Sequence, residues 1–165
     1  MEPARLFHSV RTLLDELAHG AATEPCWVLN PDDPGLLASL DRLSAEAASR
    51  PAPSGGASIA AHVDHLRYGF ELLNRWARGE NPFDTADYSQ SWQQGTVTAD
   101  GWADRRSALR TELEGWEEVI AHPRDVSDME LTGLLAGVVH LAYHVGAIRQ
   151  IDRATQGPPA RNQAV

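Results

Sequence analysis

The sequence predicts an all-α protein, a four-helix bundle with short extra helices in its connections. Three observations carry this. Four long stretches repeat their apolar residues at three- and four-residue steps, the period of a helix with one buried face. No stretch shows the sustained apolar/polar alternation of a half-buried strand. Proline clusters in the connections, where it forbids one continuous helix.

The first helix is expected over Pro3 to His19, with Leu6, Val10, Leu13, Leu14 and Leu17 as its stripe and Gly20 as its stop. Residues 21–57 hold five prolines (Pro25, Pro31, Pro34, Pro51, Pro53), so only short helices fit there, within Leu36 to Ala48. Ser58 can cap a second long helix running to about Arg78, striped by Ile59, Val63, Leu66, Phe70, Leu73 and Ala77. Residues 79–95 are polar and broken by Pro82, but Phe83, Tyr88 and Trp92 predict an ordered connection packed onto the body, with Trp92 as a pocket wall. Thr98 opens the third helix, with Trp102, Leu109, Leu113, Trp116 and Ile120, ending at His122 before Pro123. The fourth runs from about Asp128 to Ala154. One domain over residues 1–165 is expected, its tail loosely ordered from about residue 156.

Charge and cysteine content narrow the function. The chain has 165 residues and a formal net charge of −9, so its field repels phosphate backbones and anionic lipid, and neither nucleic acid nor a membrane is an expected partner. Cys26 is the only cysteine, which rules out an internal disulfide and a cysteine-rich metal site and suits a reducing, cytoplasmic setting. The N-terminal segment is amphipathic rather than continuously apolar, and it reads as neither signal peptide nor membrane span.

The histidines carry the chemistry. His140 and His144 are four residues apart, offset by about 40° around a helix, so both project from one face and can chelate one ion. Gly133, Ala136, Gly137 and Ala147 share that strip and leave volume beside the imidazoles. The helix is apolar nearly all round from Leu131 to Ile148, a setting that favours neutral, ligating rings. Two ligands are not a site: catalytic zinc usually takes three protein ligands and keeps one open position. The second helix turns Asp64, Arg67, Glu71, Asn74 and Arg78 outward and His62 and His65 inward, and either histidine can be the third ligand. If both reached the ion, no open position would remain.

Other residues have plainer readings. His140 is followed by Leu141, so the zinc-protease HExxH glutamate is missing. Asp152 lies eight residues beyond His144, too far along the axis for a ligand, and reads as a solvated or paired acid. His19 and His122 stand at predicted helix C-termini, where a cationic ring suits the dipole; His8 is expected on the surface. Tyr143 and Arg149 can contact a substrate beside the histidines, or pack and cap. The all-round apolar fourth helix, with Gly133 and Gly137 allowing close approach, predicts a homodimer.

Two segments carry a family resemblance: Ser58-Ile59-Ala60-Ala61-His62-Val63-Asp64-His65-Leu66, and His140-Leu141-Ala142-Tyr143-His144-Val145-Gly146-Ala147-Ile148-Arg149. With them the chain resembles the DinB/YfiT-like superfamily of bacterial metalloenzymes. The resemblance implies a four-helix bundle, commonly dimeric, that binds zinc, nickel or a similar ion through one histidine of the second helix and the HxxxH pair of the last. It implies His65 as that first ligand, because the family's histidine follows the helix-opening Ser or Thr by seven residues and precedes Leu or Ile. His62 is then an addition to the pattern: a neighbour of a ligand, a substrate contact, or the ligand itself. Members of known activity are similar to thiol-dependent enzymes, including bacillithiol S-transferases and a mycothiol-dependent isomerase. The implied function is transfer of a low-molecular-weight thiol to a small electrophile, with metal-dependent hydrolysis of a small substrate and non-catalytic metal binding in a stress response as alternatives.

Overall fold

Proline at a first helical position removes an amide that the first turn cannot pair, and Pro3 opens α1 (Pro3–His19) in this way. The computed structural model describes residues 2–21, 25–53, 55–92 and 95–159. Two short helices follow, α2 (Gly35–Asp41) and α3 (Ala45–Ser49), then the long α4 (Ile59–Ala77), α5 (Ala99–Ile120) and α6 (Asp128–Ile151). Each of these last three starts at a hydroxyl residue that accepts a first-turn amide: Ser58 from Ala61, Thr98 from Gly101 and Ser127 from Glu130. The Glu130 carboxylate returns the bond to the Ser127 amide at 2.9 Å, completing a capping box. Caps of this kind are worth ~1 kcal/mol each.

The protein is all-helical: among the described residues there are isolated bridges but no strand. The four long helices of the sequence reading are α1, α4, α5 and α6, and they form the bundle. α4 packs most extensively on α5, and α1 and α6 close the ring, α6 touching both α1 and α4. Leu14, Leu17, Phe70, Leu109, Leu113, Trp116, Leu141 and Ile148 share one core. Two ends differ from expectation. α5 stops at Ile120, two residues short of His122, and α6 stops at Ile151 rather than Ala154. The second has a local cause: Asp152 leaves helical geometry and its carboxylate accepts the Ala154 amide, starting a separate 3-10 turn at Arg153–Thr155.

Gly20 ends α1 with φ +101°, and a Cβ there would lie 2.2 Å from the carbonyl oxygen of Asp33, so the backbone crosses at a distance only glycine permits. The tail expected to loosen from about residue 156 lies outside the described residues from 160 on. Before that, the Pro158 carbonyl accepts from Asn30 at 2.7 Å, tying this stretch to the α1–α2 connection.

α6 is long and apolar enough to cross a membrane, by length and composition. Its inward face (Leu134, Val138, Leu141, His144, Val145, Ile148) is buried, while Leu135, Val139 and Tyr143 are exposed. The glycines expected to meet a second subunit do something else. A Cβ on Gly133 would stand 2.6 Å from the Trp76 ring, and one on Gly137 would stand 3.3 Å from Trp116 Nε1. They admit indoles of this same chain.

Candidate metal centre

α4 places His62 and His65 on its inward arc within two turns of the Ser58 cap, and α6 places His140 and His144 opposite them. His65, His140 and His144 each offer a ring nitrogen, and the three nitrogens lie within 4.8 Å of one another. The His140 and His144 Nε2 atoms are 3.0 Å apart. Two nitrogens bound ~2.0–2.1 Å from one tetrahedral ion stand ~3.3 Å apart, so the pair already has nearly that spacing. His62 is not in this group. Its Nδ1 is 2.8 Å from Nδ1 of His144.

The 79–95 connection orients His65. The Ser91 hydroxyl donates to the Tyr88 carbonyl at 2.8 Å, so its remaining role toward His65 Nδ1, 3.1 Å away, is to accept. A proton fixed on Nδ1 leaves the lone pair on Nε2, the state a ligand needs. Trp92, expected as a wall, stacks on His65 with ring centres 4.3 Å apart and meets His62 edge-on at 5.3 Å. Ser91 has no counterpart in the sequence reading, and its only signal there was its place next to Trp92. Gly69 was missed too: a Cβ on it would stand 3.1 Å from Cε1 of His140, so its bareness makes room for that ring. A glycine within a helix, where it costs ~1 kcal/mol, on the arc of His62 and His65, was the available clue.

Burial sets the charge state. His144 is pushed down to about 3, first by burial and then by the neighbouring histidines His140, His62 and His65. His65 falls to about 4 by burial and by His140 and His62, with Asp64 opposing. Burial also lowers His62 and His140. All four rings are therefore neutral at neutral pH, with lone pairs to offer.

A family profile described as the DinB superfamily matches residues 35–148, more than half of the chain. The chain belongs to the DinB superfamily. Among curated proteins, and among solved structures, nothing matches it. The matched span runs from the start of α2 into the last turn of α6 and includes all four site histidines, while α1 precedes it.

The remaining residues singled out in this DinB-superfamily chain sort by position. Tyr143 meets the His144 ring edge-on at 4.9 Å with the rest of its side chain exposed. Arg149 is held elsewhere: its guanidinium donates to buried Asp33 at 2.7 Å, so the substrate contact considered for it gives way to a structural ion pair. Asp152 is a paired acid, 3.5 Å from Arg50. His19 reaches across to Glu117 on α5 at 2.7 Å, His122 bonds the Glu118 carbonyl at 2.9 Å, and His8 is exposed. Beside His140, Leu73, Trp76, Phe83, Met129 and Gly133 line a groove of about 600 Å³, with no charged side chain in its wall among the described residues. The expected space beside the imidazoles is present. The donor set, three neutral imidazoles with one of them oriented by a serine, fits a borderline divalent ion.

Proposed function

We propose that the chain is a divalent-metal-dependent enzyme in which His65, His140 and His144 hold one zinc or nickel ion, and that it transfers a low-molecular-weight thiol to a small electrophile. The observation that carries this reading is the convergence of three neutral imidazole nitrogens within 4.8 Å, with His62 outside the group. Three protein ligands leave one position for an exogenous group. When bound, such an ion supplies Lewis acidity, which lowers the pKa of a thiol or water it meets. Everything else is work for the chain. Trp92 shields His65 from solvent, Ser91 keeps its lone pair on Nε2, and the groove beside His140 accommodates an uncharged, carbon-rich part of a substrate. The sulfur nucleophile comes from outside, because Cys26, the only cysteine, packs against the hydrophobic core.

The exposed stripe of Leu135, Val139 and Tyr143 on α6 supports a homodimer, and the cysteine content supports a cytoplasmic location. Light scattering tests the first: a monomer at working concentration rules it out.

The decisive measurement is metal content of the purified protein beside His65→Ala and His140→Ala, followed by thiol-transfer and hydrolysis assays with added zinc or nickel. We expect about one ion per chain in the wild type and almost none in either variant. Unchanged metal content in both variants removes the site. Hydrolysis without thiol transfer replaces the transferase by a hydrolase, and bound metal with neither activity leaves a binding protein.

A further inference from the structure

His62 lies outside the ligand group, yet it makes the shortest polar contact in the cluster, Nδ1 to Nδ1 of His144 at 2.8 Å. Two neutral imidazole nitrogens at that distance share one proton, so one ring donates and the other accepts. The direction decides what His144 can do. If His62 donates, His144 carries its own proton on Nε2, and that nitrogen has no lone pair for a cation. If His144 donates from Nδ1, the lone pair sits on Nε2, the atom 3.0 Å from Nε2 of His140. His62 must then carry its proton on Nε2, with its Nδ1 lone pair engaged by His144.

We infer that His62 is a positioning residue for the metal: its Nδ1 accepts the Nδ1–H of His144 and fixes the tautomer whose Nε2 faces the ion, and it is not a fourth ligand. This rests on the three-histidine reading above. The ring is held for the task, 9% exposed and set edge-on against Trp92 at 89°. His65 is served in the same sense by Ser91, so each helix contributes one ligand whose far nitrogen has a dedicated acceptor. The open position follows as well, since a ring bonded to His144 through Nδ1 does not close the coordination shell.

The test uses metal-free full-length protein titrated with zinc in competition with a chromophoric chelator. His62→Leu is expected to weaken zinc binding by about ten- to a hundredfold. His62→Asn, whose side-chain oxygen stands near the position of Nδ1, is expected to recover most of that loss, which a purely packing role does not predict. In long-range proton–nitrogen spectra of the zinc-loaded wild type, His144 should be protonated on Nδ1 and His62 on Nε2. A metal-shifted nitrogen on His62 makes it a fourth ligand and overturns the inference, as does undiminished zinc affinity in His62→Leu. His140→Ala separates the two levels: full zinc binding there sinks the three-histidine reading itself, whereas its loss there with normal binding in His62→Leu removes only the role of His62. Should His62→Leu fail to fold, the asparagine variant and the wild-type spectra decide.

Discussion

Two buried polar clusters stand at different places in this bundle, and they are built on opposite rules. Where α1, the α1–α2 connection and the end of α6 meet, unlike groups pair. The Glu16 carboxylate accepts the amides of Trp27, Val28 and Leu29, the last at 2.6 Å, and Asp33 accepts the Gly35 amide at 2.9 Å and the Arg149 guanidinium at 2.7 Å. Acceptors face donors, and the cluster is complete by itself. Around His144, nitrogen faces nitrogen instead: Nδ1 against Nδ1 of His62 on α4, and Nε2 against Nε2 of His140 on α6 itself. Each such contact between neutral rings closes only by sharing a single proton, one nitrogen donating and the other accepting, and a cation can take the place of that proton. The first cluster, a clasp, pairs groups of fixed role, whereas the second gathers nitrogens that can each donate or accept and so can turn their lone pairs to a cation.

That contrast can be broken by experiment. The largest effect is expected at the clasp. Asp33→Ala leaves Arg149 unpaired and Gly35 uncapped and should lower unfolding free energy by about 3–5 kcal/mol in urea denaturation, with zinc affinity unchanged. An equal loss of zinc affinity would mean that the two clusters are one. Next, zinc at about a hundredfold excess over its Kd should raise stability by ~2.7 kcal/mol, reversibly on adding a chelator, and should do nothing for His140→Ala.

Third is pH. His65 and His144 have folded-state values of about 4 and about 3, below the ordinary 6.5, so the unfolded chain binds more protons across that window. The metal-free protein should therefore hold its stability above about pH 6.5 and lose it as pH falls toward 4 and then 3, with Tm dropping by several degrees between about pH 7 and about pH 5. A flat profile in the metal-free protein, followed calorimetrically, would contradict neutral burial of these rings. The smallest effect is at Gly69→Ala, which gains helix propensity but crowds His140; we expect about a tenfold loss of zinc affinity, ~1.4 kcal/mol, with Tm little changed.

The histidine cluster was legible because it is local: HxxxH is a statement about one helix face, and the inward arc of α4 follows from the apolar stripe beside it. His62 and His65 could not be told apart by that logic, since both lie on the arc and only the distance across to α6 separates them. Ser91 and Gly69 act through space on residues 26 and 71 positions away (91 − 65 and 140 − 69), and no periodicity encodes that. The partner of Arg149 was unreadable for a related reason. Five residues beyond His144 turns it about 140° around the helix, toward Asp33, a partner inside a proline-rich connection with no pattern of its own. The helices themselves were clear from stripes and caps, and the early end of α6 went unread because Asp152 caps a new turn through a bond to Ala154.

The stack of Trp92 on His65 also makes the protein its own indicator. An indole in van der Waals contact with an imidazole, with 38% of its surface in solvent, emits according to the electronic state of that ring, while Trp102 and Trp116 sit deep in the core. Loading of the site should be readable as a change in intrinsic fluorescence without any added dye, and Trp92→Phe should keep the stack while silencing the signal.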